Sequence, residues 1–197
     1  MTIIHFKKKY IFIANKKTGS TSIHNILKKD SPDICSTKTI HERPIGKHDN
    51  YTKIKKFLDS KNMDINQFYI FGFVRNPITR MKSCYKYEHK KKMSNVQNLE
   101  MNSKDFNHYI KKDLNLHFSG IDTVFYNHEG KIPPNVHIFE IEKVAKQWRQ
   151  IESKLGLTNT VVPNLNQTSE KTFYLEPSAA IVLRKKYPLD WDLYFKR

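Results

Sequence analysis

The seven-residue run Phe68–Val74, FYIFGFV, carries no charged side chain and is rich in the aromatic and β-branched residues that fit a pleated surface. A strand with one wet face alternates apolar and polar residues. An unbroken apolar run fits a strand covered on both faces, as in a parallel sheet layered between helices. Arg75-Asn76-Pro77 follows at once, and proline suits the first turn of a helix, where its missing N–H costs nothing. Strand, sharp junction and helix are therefore predicted in that order. Tyr10–Ala14 repeats the plan: YIFIA is followed by NKKTGSTS, and a helical pattern begins at Ser20 and runs to Lys29.

Further along, Val136–Ile141 predicts another strand. Val144, Trp148, Ile151 and Leu155 then fall on one helix face, with Gly156 as the stop. Helices are also predicted over Tyr51–Leu58, from Pro77 to about Tyr87, and over Asp105–Lys112 and Pro177–Lys186. Residues 30–50 read as irregular, and the HKKK run at His89–Lys92 as a solvated loop or helix end. Strands alternating with helices define an α/β fold with a mostly parallel sheet flanked by helices. With 197 residues and no linker or repeat, residues 1–197 are expected to form one domain.

Thirty-five Lys and Arg against 19 Asp and Glu leave a net charge of +16. That balance points to polyanionic partners: nucleic acid, an anionic membrane surface, or a phosphorylated or sulfated molecule. Two cysteines, Cys35 and Cys84, are too few for a disulfide framework or for the ligand set of a zinc site. No metal is expected. No stretch approaches the roughly 20 apolar residues of a membrane span, and Lys7–Lys9 cut short any signal-like run. A soluble, cytoplasmic chain is the expectation.

Ligands of α/β sheets sit beyond the carboxyl ends of the strands, and both junctions lie there. The first offers Lys17, Thr18, Gly19, Ser20, Thr21 and Ser22 at a helix start. Unpaired N–H groups, the positive end of the helix dipole, hydroxyls and a full lysine charge make an anion cradle, with glycine allowing close backbone approach. An ordinary turn with a hydroxyl cap is the alternative. The nucleotide-hydrolysing loop GxxxxGK[ST] places its lysine after the second glycine. Here Lys17 precedes Gly19. At the second junction, Arg75 at the strand end and Ser83 two turns into the helix can converge on one phosphate.

KTGSTS at 17–22 and FGFVRNPITRMKSCY at 71–85 together resemble the two donor-binding segments of the PAPS-dependent sulfotransferases, in their carbohydrate-type, family 2-like branch. GKHDNYTKIKKFL, HIFEIEKV, VPNLNQTSE and YPLDWDLYF are similar to further family segments in the same order, from about Tyr10 to Phe195. The chain departs from the family at Asn15-Lys16, where an apolar residue and proline are usual.

The resemblance implies a P-loop-NTPase-like fold. It also implies transfer of the sulfuryl group from PAPS (3′-phosphoadenosine 5′-phosphosulfate) to an acceptor hydroxyl, leaving PAP. Lys17 would neutralise the bridging and leaving oxygens. Thr18, Gly19, Ser20, Thr21 and Ser22 would hold the 5′-phosphate, and Arg75 and Ser83 the 3′-phosphate. Arg80 either joins them or is a solvated helix arginine. His48 is the candidate base, with Glu42 as the alternative; His41 and His24 read as structural, and Glu142 as a cap or sheet-end partner. Phe173, Tyr174 and Trp191 are candidates to stack on adenine, and Asn166 and Ser169 to line the cofactor site.

The implied acceptor is a glycan or another hydroxyl-bearing substrate, and the basic charge suits an acidic one. Two rival readings are a basic nucleic-acid-binding protein and a nucleotide kinase on a related scaffold. The first finds no helix-turn-helix, zinc-finger or RNA-binding signature, so no nucleic-acid partner is expected. The second suffers from the order of Lys17 and Gly19 and from the lack of an acidic strand end for Mg²⁺.

Overall fold

Tyr10–Ile13 (β2) and Tyr69–Val74 (β4) pair in parallel at the centre of a computed structural model, Ile13 opposite Gly72. Val136–Glu140 (β5) adds in parallel on the far side of β4. The structure describes residues 1–30, 34–35, 45–92, 102–112, 119–161 and 174–195, with backbone only at residues 30, 34, 35 and 89–92. Ile3–His5 (β1) and the two-residue Ile34–Cys35 (β3) complete a five-stranded sheet in the order β3-β1-β2-β4-β5. Both added strands pair antiparallel. The α/β fold with its parallel core is thus as expected. The first strand, however, is β1 rather than Tyr10–Ala14. Lys7–Lys9 form the turn of a β-hairpin, where Lys9 sits at φ +52 with its ammonium 5.0 Å from the Phe68 ring centre.

Side chains of a strand alternate between faces, and the two faces of this sheet pack different helices. Ile11, Ile13, Ile70 and Val74 pack with Tyr51–Asp59 (α2) and Ile121–Phe125 (α5), through Ile54, Leu58 and Phe125. Tyr10, Phe12, Phe71 and Phe73 face Ser20–Asp30 (α1) and Val144–Lys154 (α6), through Ile23, Leu27, Trp148 and Ile151. Each such fully buried side chain contributes about 1.5–3 kcal/mol relative to exposure. Gly72 belongs to the first face. A Cβ there would stand 2.5 Å from the Phe125 ring and 2.9 Å from the Ile13 carbonyl oxygen. Glycine is what lets α5 reach the sheet.

A third cluster lies beside the sheet rather than on it. Pro77–Lys92 (α3), Ser103–Lys112 (α4), Pro177–Lys186 (α7) and Pro188–Phe195 (α8) meet through Met81, Cys84, Phe106, Ile110, Leu183 and Tyr187. The helix after Pro77 continues through Lys92, so His89–Lys92 belong to it and are not a loop. The aromatic tail is helical as well. Among the described residues no helix is long and apolar enough to cross a membrane.

Candidate active site

The carboxyl ends of β2, β4 and β5 release three loops at one edge of the sheet. In the first, Lys17 (φ +62) and Gly19 (φ +71) are both left-handed, one residue apart. Such alternation turns successive N–H groups toward one concave side. Among the described residues no acceptor faces the backbone N–H of Lys17, Thr18, Gly19, Ser20 or Thr21. The α1 N-terminus is thus presented open. Gly19 also packs closely against a neighbouring loop. A Cβ on it would meet the Ile141 side chain at 3.0 Å, so the loop packs on the residue that follows β5.

Two hydroxyl-bearing residues of this loop are tied down locally. Thr18 is buried and its Oγ1 donates to the Asn15 carbonyl at 3.0 Å, so its contribution to a cradle is its N–H. Ser22 is buried and its N–H closes on the Gly19 carbonyl at 3.0 Å. Thr21 is exposed at the helix start, and Ser20 is buried beneath it.

The second loop brings Arg75 against the first. Its Nη1 donates to the Lys17 carbonyl at 3.4 Å and its Nε to Thr79 Oγ1 at 3.1 Å. Lys17 in turn lies with Nζ 4.4 Å from the centre of the Tyr87 ring. Thr79, Ser83 and Tyr87 are spaced by four on α3 and so share one helix face. Arg75 occupies one end of this stripe, Lys17 the other, and Ser83 stands between them. The two junctions therefore meet, with cations at both ends of a hydroxyl-bearing helix face.

Burial lowers the pKa of both cations; at Lys17 nearby Cys84 opposes this, while Arg75 and Lys47 add repulsion that lowers it further. For Arg75 the opposing influence is Glu142. Cationic groups held together with little carboxylate nearby are primed to gain energy from an anion. Burial pushes the Cys84 thiol up to about 11 in spite of Arg80, Lys17 and Arg75. It stays protonated and is no nucleophile.

Glu142, in the short turn after β5, fastens the second loop. Its Oε1 accepts from the Asn76 N–H at 2.8 Å and from Thr79 Oγ1 at 3.3 Å, and its Oε2 from the Tyr194 hydroxyl at 3.0 Å. It is the sheet-end partner that the sequence predicted. His48 approaches from the loop before α2, with Nδ1 2.6 Å from the Ala14 carbonyl oxygen. Since a carbonyl only accepts, Nδ1 carries the proton and Nε2 keeps its lone pair. Burial lowers this ring to about 4, partly offset by that hydrogen bond and reinforced by Lys47 and Lys16. The α2 helix is capped by Asn50 instead.

Arg80 is neither at the anion site nor solvated. It is fully buried on the other side of α3, with Cys84 one turn on. His24 is buried with Nδ1 on the Met1 carbonyl, a structural placement. Of the adenine candidates, Tyr174 is largely exposed, and Trp191 packs on Phe195 at 4.4 Å between ring centres. His41, Glu42, Asn166, Ser169 and Phe173 lie outside the described residues. The sequence reading missed Tyr87, whose spacing from Thr79 and Ser83 was the available signal. It also missed the tertiary roles of Asn15 and Tyr194, for which there was none. Among the described residues no group of three or more side chains could hold a metal ion.

At the strand ends of this α/β sheet an open helix N-terminus stands beside Lys17 and Arg75, an arrangement suited to an anion. The model of the sulfotransferase family matches residues 2–195, and the chain belongs to that family. Among solved structures it is similar to the mouse sulfotransferase SULT7A1 complexed with PAP, at 18% identity and TM-score 0.44 over 92% of this chain. The chain spans 65% of that protein's length. It is also similar to a sulfotransferase from Alicyclobacillus acidocaldarius, at 14% identity and TM-score 0.42, over 94% of this chain and 95% of the other. No curated protein sequence matches it.

Proposed function

We propose that residues 1–197 work as one PAPS-dependent sulfotransferase domain acting on a carbohydrate hydroxyl. The observation that carries this reading is the meeting of Lys17 and Arg75 on the Thr79–Ser83–Tyr87 stripe, beside the open N–H groups of residues 17–21. Two separate cationic points suit a ligand with two separate phosphates. When bound, PAPS supplies a sulfuryl group whose transfer forms an O–S bond to the acceptor and breaks the bridging S–O bond, leaving PAP.

Lys17 and the N–H groups of Thr18, Gly19, Ser20 and Thr21 take the 5′-phosphate end, with Ser22 closing the helix turn behind them. Lys17 leaves its resting place on Tyr87 to neutralise charge that gathers on the leaving phosphate. Arg75 and Ser83 take the 3′-phosphate. His48 removes the acceptor's proton at Nε2, while its Nδ1–H on Ala14 holds the ring in that tautomer. With its pKa lowered to about 4, the ring is neutral and able to accept a proton across the neutral pH range. Lys47 and Lys16, within electrostatic reach of His48, favour an acidic sugar over a neutral one.

The test is incorporation of sulfur label from PAPS into a panel of acidic and neutral oligosaccharides. Labelling of the acidic sugars is expected; labelling of phenols alone would replace the carbohydrate reading. His48→Asn keeps a donor for the Ala14 carbonyl and removes Nε2, so turnover should fall by about 10²–10⁴ if this nitrogen is the base. Turnover within a fewfold of wild type would remove His48 from the mechanism.

A further inference from the structure

Arg80 is fully buried, an unusual place for a guanidinium unless its donors are met. Four of its N–H bonds are accounted for. Nε donates to the Lys16 carbonyl at 3.0 Å, Nη2 to Asn15 Oδ1 at 2.7 Å and to the Ser119 carbonyl at 3.0 Å, and Nη1 to Asp190 Oδ1 at 3.0 Å. Asp190 is buried too, and its other oxygen accepts from the Ile121 N–H at 2.9 Å. One planar group thus ties the two residues before Lys17 to α3, to the start of α5 and to α8.

We propose that Arg80 is a positioning residue of the donor site: anchored on Asp190, it fixes Asn15 and the Lys16 carbonyl and thereby sets where Lys17 and the loop N–H groups point. The inference rests on the donor-site reading above and extends it to α8, at the far end of the chain. The geometry explains why the loop needs an outside hold. Neither Asn15 nor Lys16 is a proline, so no ring stiffens the backbone ahead of the left-handed Lys17. Asn15 takes over by offering its side-chain carbonyl to Arg80 while its backbone carbonyl holds Thr18. A lysine could not serve, because one ammonium cannot span acceptors set around a planar fork.

Because the bridge reaches only the first loop, its loss should be felt at one end of the ligand. Three variants of the full chain test this: Arg80→Lys keeps the charge, Asp190→Asn removes the anchor, and Asn15→Ala leaves the Arg80–Asp190 pair whole. Asn15→Ala keeps the test alive if the buried-pair variants fail to fold. In the ligand-free protein, amide hydrogen exchange at Ser22 and Ile23, whose N–H groups bond the Gly19 carbonyl, should rise by about tenfold, corresponding to roughly 1.4 kcal/mol, while exchange in β2 and β4 stays as in wild type. Calorimetric affinity for PAP and 5′-AMP should fall by about the same factor, and affinity for 3′-AMP should change little. Arg80→Lys should not rescue either property.

Unchanged exchange at Ser22 and Ile23, an equal rise throughout the sheet, or an equal loss of all three nucleotides would overturn the proposal. So would full rescue by Arg80→Lys, which would reduce Arg80 to a charge partner. If the wild-type chain binds none of the nucleotides, the donor-site reading falls, and the exchange measurement alone decides the role of Arg80.

Discussion

The junctions after β2 and β4 stand side by side, yet they are built on opposite plans. After β2 the chain offers backbone: five N–H groups without an acceptor among the described residues, two left-handed residues, and the Thr18 hydroxyl turned onto the Asn15 carbonyl. After β4 it offers side chains, with Arg75 and Thr79 laid out by Glu142. The two arginines of the second segment sharpen the contrast. Arg75 is half-buried with its Nη2 free of any partner among the described residues, whereas Arg80 is buried and committed on four bonds. A helix start alone is a generic anion site. It becomes a specific one when a second junction adds a cation at a fixed distance and a buried bridge holds the first loop in shape.

The largest expected effect would separate the arginines. Arg80→Met leaves Asp190 a buried carboxylate without its counter-charge and should cost about 3–5 kcal/mol of folding stability, read from urea denaturation. Arg75→Met should cost clearly less by the same measurement, since Arg75 is only partly buried and its loss leaves no buried carboxylate unpaired. Equal losses would erase the distinction between them. Next in size, Lys17→Ala should lower kcat for sulfuryl transfer by about 10²–10³. Its stability should change by less than about 1 kcal/mol, the value of a lost cation–π contact. Arg75→Ala should weaken PAP binding by about 1.5–3 kcal/mol and leave 5′-AMP binding nearly untouched. A parallel loss of 5′-AMP would mean that the junctions act as one undivided site.

The smallest effect concerns pH. Burial holds His48 and His24 at about 4, against 6.5 for an ordinary histidine. Between those values the unfolded chain binds protons that the folded chain refuses. Stability is therefore complete above about pH 6.5 and falls as pH drops toward 4. His24 has a concrete reason to resist protonation, because its Nε2 is buried with no acceptor. Solvent screening at half-buried His48 keeps that ring's share modest. A flat stability profile from pH 4 to 7, followed by thermal melting, would contradict both assignments.

The parts of this molecule legible in its sequence are those whose causes are local. FYIFGFV announces a doubly covered strand, and Lys17–Ser22 and Arg75–Ser83 carry their chemistry in short, ordered runs. β1 was hidden because three residues of strand were followed by Phe6 and three lysines, which form a hairpin turn. The helical extension to Lys92 was hidden for a similar reason: a run of charge reads the same on a solvated helix as in a loop. Arg80 could not be read at all. Its role is set by Asp190, Ser119 and Asn15, brought together only by the fold, and a lone helix arginine looks the same whether it is buried or wet. The glycines divide likewise. Gly156 stops a helix as its position implied, whereas Gly19, also at positive φ, packs in addition against Ile141, more than a hundred residues away.

The most direct test of the central claim is calorimetric titration of the full chain with PAP, using ADP and 5′-AMP as controls. It needs no knowledge of the acceptor. The account predicts that PAP binds clearly more tightly than either control, with the difference lost in Arg75→Ala. Binding of ADP as tight as PAP, or no binding of PAP, would contradict it.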